Sequence, residues 1–529
     1  MAMPAAAGAS GGEGAASSST AGVVTASAAS ASAVGVAGAV DAGVPHEADP
    51  HNTDLSAYHR FVVFEEVAAG AFTKIKLLSD AIHGKVYKYR WNREPREVAP
   101  TQAVLEFDEA LAAVQRGISQ GGDESFLTEF AQRLRDGGGQ LRSLLKAHTW
   151  AGNAFRRPPN LKALLSDLEQ AKQHLLGQLQ DAIVVGKKMP SVRVRQNDGR
   201  QTNECRAYFN PRGPPPAPHI EDALTEIGAL SYLRQQQDLP VYLLRLLAVV
   251  LEGDIVTMVT EFIDSELFEQ VVSGQLAFPE ERVMRYTWQL LQATRYLHSH
   301  RIGHRDISLE NILITFGSDL EGQIRLMDFG QAVRTHSLCG SVLLRYFIAC
   351  GKQYYRAPEC YIPRQTPVCV VAPESSVPGD VVMARLLDAN RQRTGYLCEV
   401  RLPNDAVPGQ PCAAAVWGYT VPPLDVFSCG VALFILAWKA PPWKMALLSD
   451  PGFAFIHTNG DGAIGRLVQS WGRTALAPAA MQLLARMLQT DPKRRPAVEE
   501  CLASPWFEQM ADQHVPTHQP QELVAAPQV

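Results

Sequence analysis

Three oxygen-bearing side chains stand close together in this sequence: Asp306 in His304-Arg305-Asp306, Asn311 a few residues later, and Asp328 in Asp328-Phe329-Gly330. Carboxylate and amide oxygens are the ligands that hard divalent cations such as Mg2+ prefer, and a carboxylate within reach of a hydroxyl can take its proton. Phosphoryl transfer asks for little more: metal ions held on the nucleotide phosphates and an acceptor hydroxyl held in line. For the three side chains to meet, the chain between them must fold back on itself. Residues 312–314 and 324–327 are short apolar runs that read as the strands of that turn.

With Ala357-Pro358-Glu359 downstream, the stretch 296–330 resembles the catalytic and metal-binding loops of eukaryotic protein kinases. The resemblance implies an α+β, bilobal protein kinase-like fold with a β-rich N-lobe and a mainly α-helical C-lobe, and MgATP bound between them. Asp306 would orient the acceptor hydroxyl and take its proton, while Asp328 and Asn311 would hold Mg2+. Asp425, in Asp425-Val426-Phe427-Ser428-Cys429-Gly430, resembles the buried helix acid that braces the catalytic loop. Arg495, in Asp491-Pro492-Lys493-Arg494-Arg495-Pro496, would pair with Glu359. Arg305 would grip a phosphate on the activation segment 331–350, where Thr335, Ser337, Ser341 and Tyr346 are the candidate acceptors.

The chain departs from that pattern in two places. Serine/threonine kinases usually carry lysine two residues after the catalytic aspartate; here it is Ser308. They usually carry threonine after the glycine that precedes the acceptor-binding loop; here Lys352 follows Gly351. In the family those side chains meet beside the aspartate, so cation and hydroxyl have exchanged places. The expectation is that Lys352 steadies the transferring phosphoryl group with Ser308 as its hydrogen-bonding partner.

Upstream, Val67-Ala68-Ala69-Gly70-Ala71-Phe72-Thr73 resembles the kinase glycine-rich loop, with strands expected at 61–64 and 74–78. Only Gly70 of its glycines stands, so the nucleotide clamp should be loose. Two residues compete for the phosphate-gripping base. Family spacing from Gly70 lands on Arg90, whereas Ile183-Val184-Val185-Gly186-Lys187 looks like the lysine strand. A lysine's point charge suits the role better than a forked guanidinium, which favours Lys187 and makes residues 91–182 an insertion. Glu226, on a helix beginning near Ile220, would pair with that base. By resemblance, Glu261, Phe262 and Ile263 form the hinge whose backbone holds adenine, Thr260 guards the pocket behind it, and Glu266 meets the ribose.

The elements carrying these residues divide the chain. Residues 1–55 are low in complexity and read as disordered; 56–262 form the N-lobe, with the insertion 91–182 helical by its apolar spacing. Residues 263–510 form the C-lobe, with a β-rich insertion at 361–420, and 511–529 read as a polar tail. At 529 residues the chain can bury a large core, and a formal charge of -5 points away from nucleic acid. The nine scattered cysteines fit reduced thiols and a cytoplasmic chain, a nuclear location being the alternative. The apolar run 426–438 is too short for a membrane span and suits a core helix. The sequence reading is therefore a protein kinase acting on a protein serine or threonine, with the two insertions as docking sites for partners. The alternative is a pseudokinase, an ATP-binding scaffold or regulatory module, supported by the eroded glycine loop, the displaced lysine and Ser308.

Overall fold

The computed structural model describes residues 58–92 apart from 66, 68 and 69; 102–119; 165, 168 and 169; 181–190; and 223–518 apart from 264, 275, 316–321, 338–339, 364–365 and 461. The readings of residues 1–55, of most of 120–180 and of 519–529 fall outside that set.

Strands β1 (Phe72–Ala81) and β2 (Gly84–Asn92) form an antiparallel hairpin. Helix α1 (Gln102–Ser119) lies between β2 and β3 (Asp181–Pro190) in the chain, and it buries Ala110 and Val114. Helix α2 (Ala223–Arg234) leads into β4 (Leu246–Glu252) and β5 (Ile255–Glu261). The five strands make one sheet in the order β1-β2-β3-β5-β4. Tyr89, Trp91, Val184, Val250 and Val259 pack together on one of its faces.

The run 61–64 is not a strand. Residues 59–61 form a 3-10 turn, Phe61 packs edge-on against Tyr232 of α2 with ring centroids 4.9 Å apart, and only Glu65 bridges to β4. Phe61 and Val62 pack against the core rather than on a sheet neighbour, while Val63 and Phe64 stay exposed. The hairpin turn therefore falls at Ile82 and His83, and not at residues 67–73.

Beyond the sheet, β6 (Ser265–Glu266) and helix α3 (Leu267–Ser273) precede the long helix α4 (Glu280–Ser299). Strand β7 (Ile302–Gly303) opens the loop 304–311, β8 (Ile312–Thr315) and β9 (Gln323–Leu326) pair antiparallel after it, and β10 (Val333–Arg334) returns to pair with β7.

Strands β11 (Val368–Val371), β12 (Val381–Leu387), β13 (Arg393–Arg401) and β14 (Pro411–Val416) close into a small barrel. Its interior is filled by Val370, Ala384, Leu386, Cys398, Val400 and Ala414. Two loops of like sequence, 372–380 and 402–410, face each other across it: Leu402 N donates to Asp380 O (2.8 Å) and Ala372 N to Gln410 O (3.1 Å).

Helix α5 (Val421–Trp438) is longer than the run 426–438, because Pro422 and Pro423 sit in its first turn, where a missing N–H costs nothing. By length and composition it could cross a membrane, yet most of its residues are buried inside the domain. The start of the expected polar tail pairs with the domain: Val241 N donates to Pro516 O (2.9 Å) and His518 N to Leu239 O (2.8 Å). Backbone pairing of this kind leaves no mark in side-chain polarity.

Candidate active site

The loop 304–311 is held from behind by Asp425 on α5. Its carboxylate accepts from His304 N and Arg305 N, both at 2.9 Å, and from His298 Nε2 at 3.0 Å. Arg305 has φ +68 and Asp328 has φ +65. Such left-handed backbone in a non-glycine residue persists only where its surroundings impose it, and at Arg305 the two bonds to Asp425 do so. The His304 ring lies 3.1 Å through Nε2 from Met327 O, while Asp306 N donates to its Nδ1 at 3.3 Å. Burial pushes the His304 pKa down, which suits the neutral tautomer this pattern requires.

Asn311 Nδ2 donates to Asp306 O (2.8 Å) and to Asp306 Oδ2 (2.9 Å), and Lys352 N donates to Asp306 Oδ1 (3.1 Å). The Lys352 ammonium donates to Ser308 Oγ and to Asn311 Oδ1, each at 2.7 Å, and stands 3.9 Å from Asp306 Oδ2. Gly351 makes this approach possible: its φ is +74, and a Cβ there would fall 2.9 Å from Arg305 O. Asp328 shares the same environment. Met327 N donates to Asn311 O (2.9 Å), Gly330 N to Asp328 Oδ1 (3.3 Å), and the charge of Asp328 is felt at Asp306. Burial raises the Asp306 pKa above the usual carboxylate value; Lys352 offsets part of the rise and Asp328 adds to it. The structure thus gathers Asp306, Ser308, Asn311, Asp328 and Lys352 in one place.

On the sheet side, Lys187 Nζ donates to Glu226 Oε2 at 2.6 Å, and both side chains are largely buried. Gly228 lets α2 approach the preceding segment, since a Cβ there would lie 2.5 Å from Tyr58 O. Arg90 is exposed on β2, opposite Thr73 and Ile183. Gly70 stands just before β1, at the end of the hairpin away from Lys187, in open space. The glycine beside Lys187 is Gly84, whose Cβ would meet Lys188 O at 1.9 Å. Its sequence signal is His83-Gly84 followed by the alternating run Lys85-Val86-Tyr87-Lys88-Tyr89.

At the end of β5, where the hinge is expected, the Glu261 side chain accepts from Arg245 N (2.9 Å) and lies 3.5 Å from Arg325 Nε. Burial lifts its pKa, and Arg325 opposes that shift. Thr260 and Ile263 are buried, while Glu266 is exposed at the start of α3.

Arg305 does not wait for a phosphate in the open. It is buried, and its guanidinium carbon lies 5.2 Å from the centre of the Tyr346 ring. Of the four candidate acceptors, Thr335, Ser337 and Tyr346 are buried and Ser341 is exposed. Sequence reasoning also missed what seats the segment. Tyr346 and Tyr419 exchange backbone hydrogen bonds of 2.9 Å each, and Arg345 Nη1 donates to Glu399 Oε2 on β13 at 3.0 Å. Behind it, Arg495 forks onto Glu359 with contacts of 2.5 and 2.7 Å, the pair being fully buried.

Residues 216–368 match the protein kinase domain family. Over that span the chain is similar to protein kinase domains. The matched span starts after the Lys187 strand and ends where the barrel begins. The chain is similar to the carbon catabolite-derepressing protein kinase of Candida glabrata, 24% identical over 282 residues, covering 53% of this chain and 33% of that protein. It is also similar to CBL-interacting serine/threonine-protein kinase 14 of Arabidopsis thaliana, 27% identical over 271 residues, covering 51% and 45%. A shorter stretch of 144 residues is 33% identical to mitogen-activated protein kinase kinase kinase 2 of Arabidopsis thaliana, covering 27% and 20%. The aligned stretch thus spans less than half the length of each of these relatives.

Proposed function

We propose that this chain transfers the γ-phosphoryl group of ATP to a serine or threonine hydroxyl of a protein. The observation that carries the reading is the Lys352 ammonium, placed at once on Ser308 Oγ, on Asn311 Oδ1 and beside Asp306. A cation there faces the position where charge develops on the transferring group. Asp306, its two oxygens aimed by Asn311 Nδ2 and Lys352 N, orients the acceptor hydroxyl and takes its proton. Lys187, held by Glu226, steadies the α- and β-phosphates, and the Ile82–His83 turn covers them.

Asp328 and Asn311 would hold magnesium. The fit rests on the donor set: both are hard oxygen ligands, and Asn311 Oδ1 already faces a positive charge, that of Lys352. When bound, the metal neutralises phosphate charge. The acceptor substrate, a cytoplasmic location and partners docking on the insertions belong to the same proposal; similarity to a serine/threonine-protein kinase supports its acceptor class.

A second reading, an ATP-binding scaffold, draws on the same contact, because the lysine occupies the oxygen the metal would take. Incubating wild type and Asp328→Ala with radiolabelled ATP and a mixture of protein acceptors separates the two. Transfer by wild type and loss of ~10³-fold or more in the variant, the scale of removing a charge-stabilising group, supports catalysis. Equal, background labelling by both proteins leaves the scaffold.

A further inference from the structure

Two thiols outside the catalytic cluster face each other at the ends of the segment that carries Lys352. Cys350 Sγ and Cys360 Sγ are 3.5 Å apart, and both residues are buried and reduced. The Tyr419 hydroxyl donates to Cys350 Sγ at 3.2 Å. Arg356 is fastened beside it, with Nε on Cys350 O and Nη2 on Gly351 O, both at 2.8 Å, and the Arg305 guanidinium adds a second positive charge.

We propose that Cys350 and Cys360 form a hydroperoxide-sensitive disulfide that withdraws Lys352 from the site. A disulfide needs an S–S length of about 2.0 Å, so the sulfurs must close by roughly 1.5 Å. That is a local movement, and not a rearrangement of the domain.

The two thiols have different parts. Burial alone would raise the Cys350 pKa, but the contact with Cys360, the Arg305 charge, the Tyr419 hydroxyl and Arg356 bring it down; burial and Cys350 itself push Cys360 up. Cys350 is therefore the thiolate that reacts first. Its sulfur attacks the hydroperoxide: an S–O bond forms, the O–O bond breaks, and the departing oxygen leaves as water or alcohol after taking a proton. Cys360 then attacks that sulfur. The S–S bond forms, the S–O bond breaks, and hydroxide leaves as water with the Cys360 proton. Two electrons pass from the sulfurs to the peroxide, and a dithiol reverses the change. Peroxide reaches the pair at the half-exposed edge formed by Ile348, Ala349 and Gly351.

Closure matters because the loop it pulls is already tight. Gly351 N donates to Gln331 Oε1 (3.0 Å) and Lys352 N to Asp306 Oδ1 (3.1 Å), so drawing Cys350 toward Cys360 strains both bonds. The effect on phosphoryl transfer rests on the function proposed above; the disulfide itself does not.

The test uses the full chain, treated with graded hydrogen peroxide, alkylated and digested for mass spectrometry. A linked Cys350–Cys360 peptide that disappears with dithiothreitol is expected, together with a loss of transfer of about tenfold or more, on the scale of a displaced positioning group, that dithiothreitol restores. In Cys360→Ser no partner thiol traps the Cys350 sulfenic acid, a second equivalent of peroxide takes it on to the sulfinic acid, and the loss should then persist after dithiothreitol. Both thiols alkylated after peroxide, or linked to other cysteines, overturns the proposal. Should the chain transfer no phosphate at all, the linked peptide still decides this question and the functional reading falls alone.

Discussion

The proposed site draws on two lysines, and their settings differ. Lys187 sits on a sheet strand with one carboxylate partner, Glu226, on a helix that follows far along the chain. Lys352 sits on a loop and spreads its ammonium over a hydroxyl and an amide oxygen within reach of a carboxylate. Lys187 depends on the register of β3 against β5, where it faces Met258. Lys352 depends on Gly351 and on the segment that the barrel seats. The difference teaches that such a charge is defined by its place in space: the same point beside Asp306 can be reached from either of two loops, provided the other supplies the hydroxyl.

The largest effects should come from breaking the second setting. Lys352→Thr and Ser308→Lys should each cost ~10²-fold or more in kcat, the scale of a lost transition-state contact. The double variant should recover part of the loss, because it returns cation and hydroxyl to the same space. Steady-state kinetics on the four proteins checks this as a cycle; losses that simply multiply would break the comparison.

Lys187→Met should cost about tenfold or more in kcat/KM for ATP. Lys352→Met should fall mainly on kcat, with the KM for ATP little changed. If both variants show the same split, the two lysines do not divide the nucleotide between them as argued.

The acid limb of the pH–rate profile sharpens the comparison further. Asp306 must be ionised to take a proton, and burial raises its pKa. Activity should therefore fall, as pH is lowered, at a higher pH than an ordinary aspartate would give. Lys352 is the chief charge that holds the rise in check, so in Lys352→Met the limb should move higher still, while Lys187→Met leaves it in place. A limb at the ordinary value that ignores Lys352 would count against Asp306 as the base.

What could be read from the sequence follows the same division. The loop 304–311 and its neighbour 328–330 were legible because their residues are close in the chain and their turns are short. The meeting of Ser308 with Lys352 could be inferred from two departures that made sense only together. The hairpin was misread, because the apolar run 61–64 looks like a strand until α2 is there to take Phe61. The barrel's β content was legible as a β-rich stretch at 361–420, but its closure was not. The signal was the repeat of Ala372-Pro373 to Val377-Pro378-Gly379 in Leu402-Pro403 to Val407-Pro408-Gly409, whose loops face each other. Cross-barrel partners such as Arg345 and Glu399 leave no local pattern at all.

That last pair offers the smallest expected effect and a separation of roles. Burial raises the Glu399 pKa, and Arg345 offsets only part of the rise. A folded-state pKa above the unfolded one means that the carboxylate's favourable share is present below the unfolded pKa and lost as pH rises through the folded value. Where it is ionised, Glu399 is thus a net cost to stability, as buried ion pairs often are. Glu399→Gln keeps the shape and a hydrogen-bond acceptor, so thermal melting at neutral pH should not drop. Arg345→Met leaves the carboxylate buried and unpaired, and should lower stability by about 1–3 kcal/mol. If the pair serves to seat the activation segment, Glu399→Gln should still raise the KM for a protein acceptor by about two- to fivefold, roughly 0.4–1 kcal/mol in binding. A Glu399→Gln protein that melts earlier but keeps its KM would make the barrel contact a prop for the fold, and would leave the loop carrying Lys352 to hold itself.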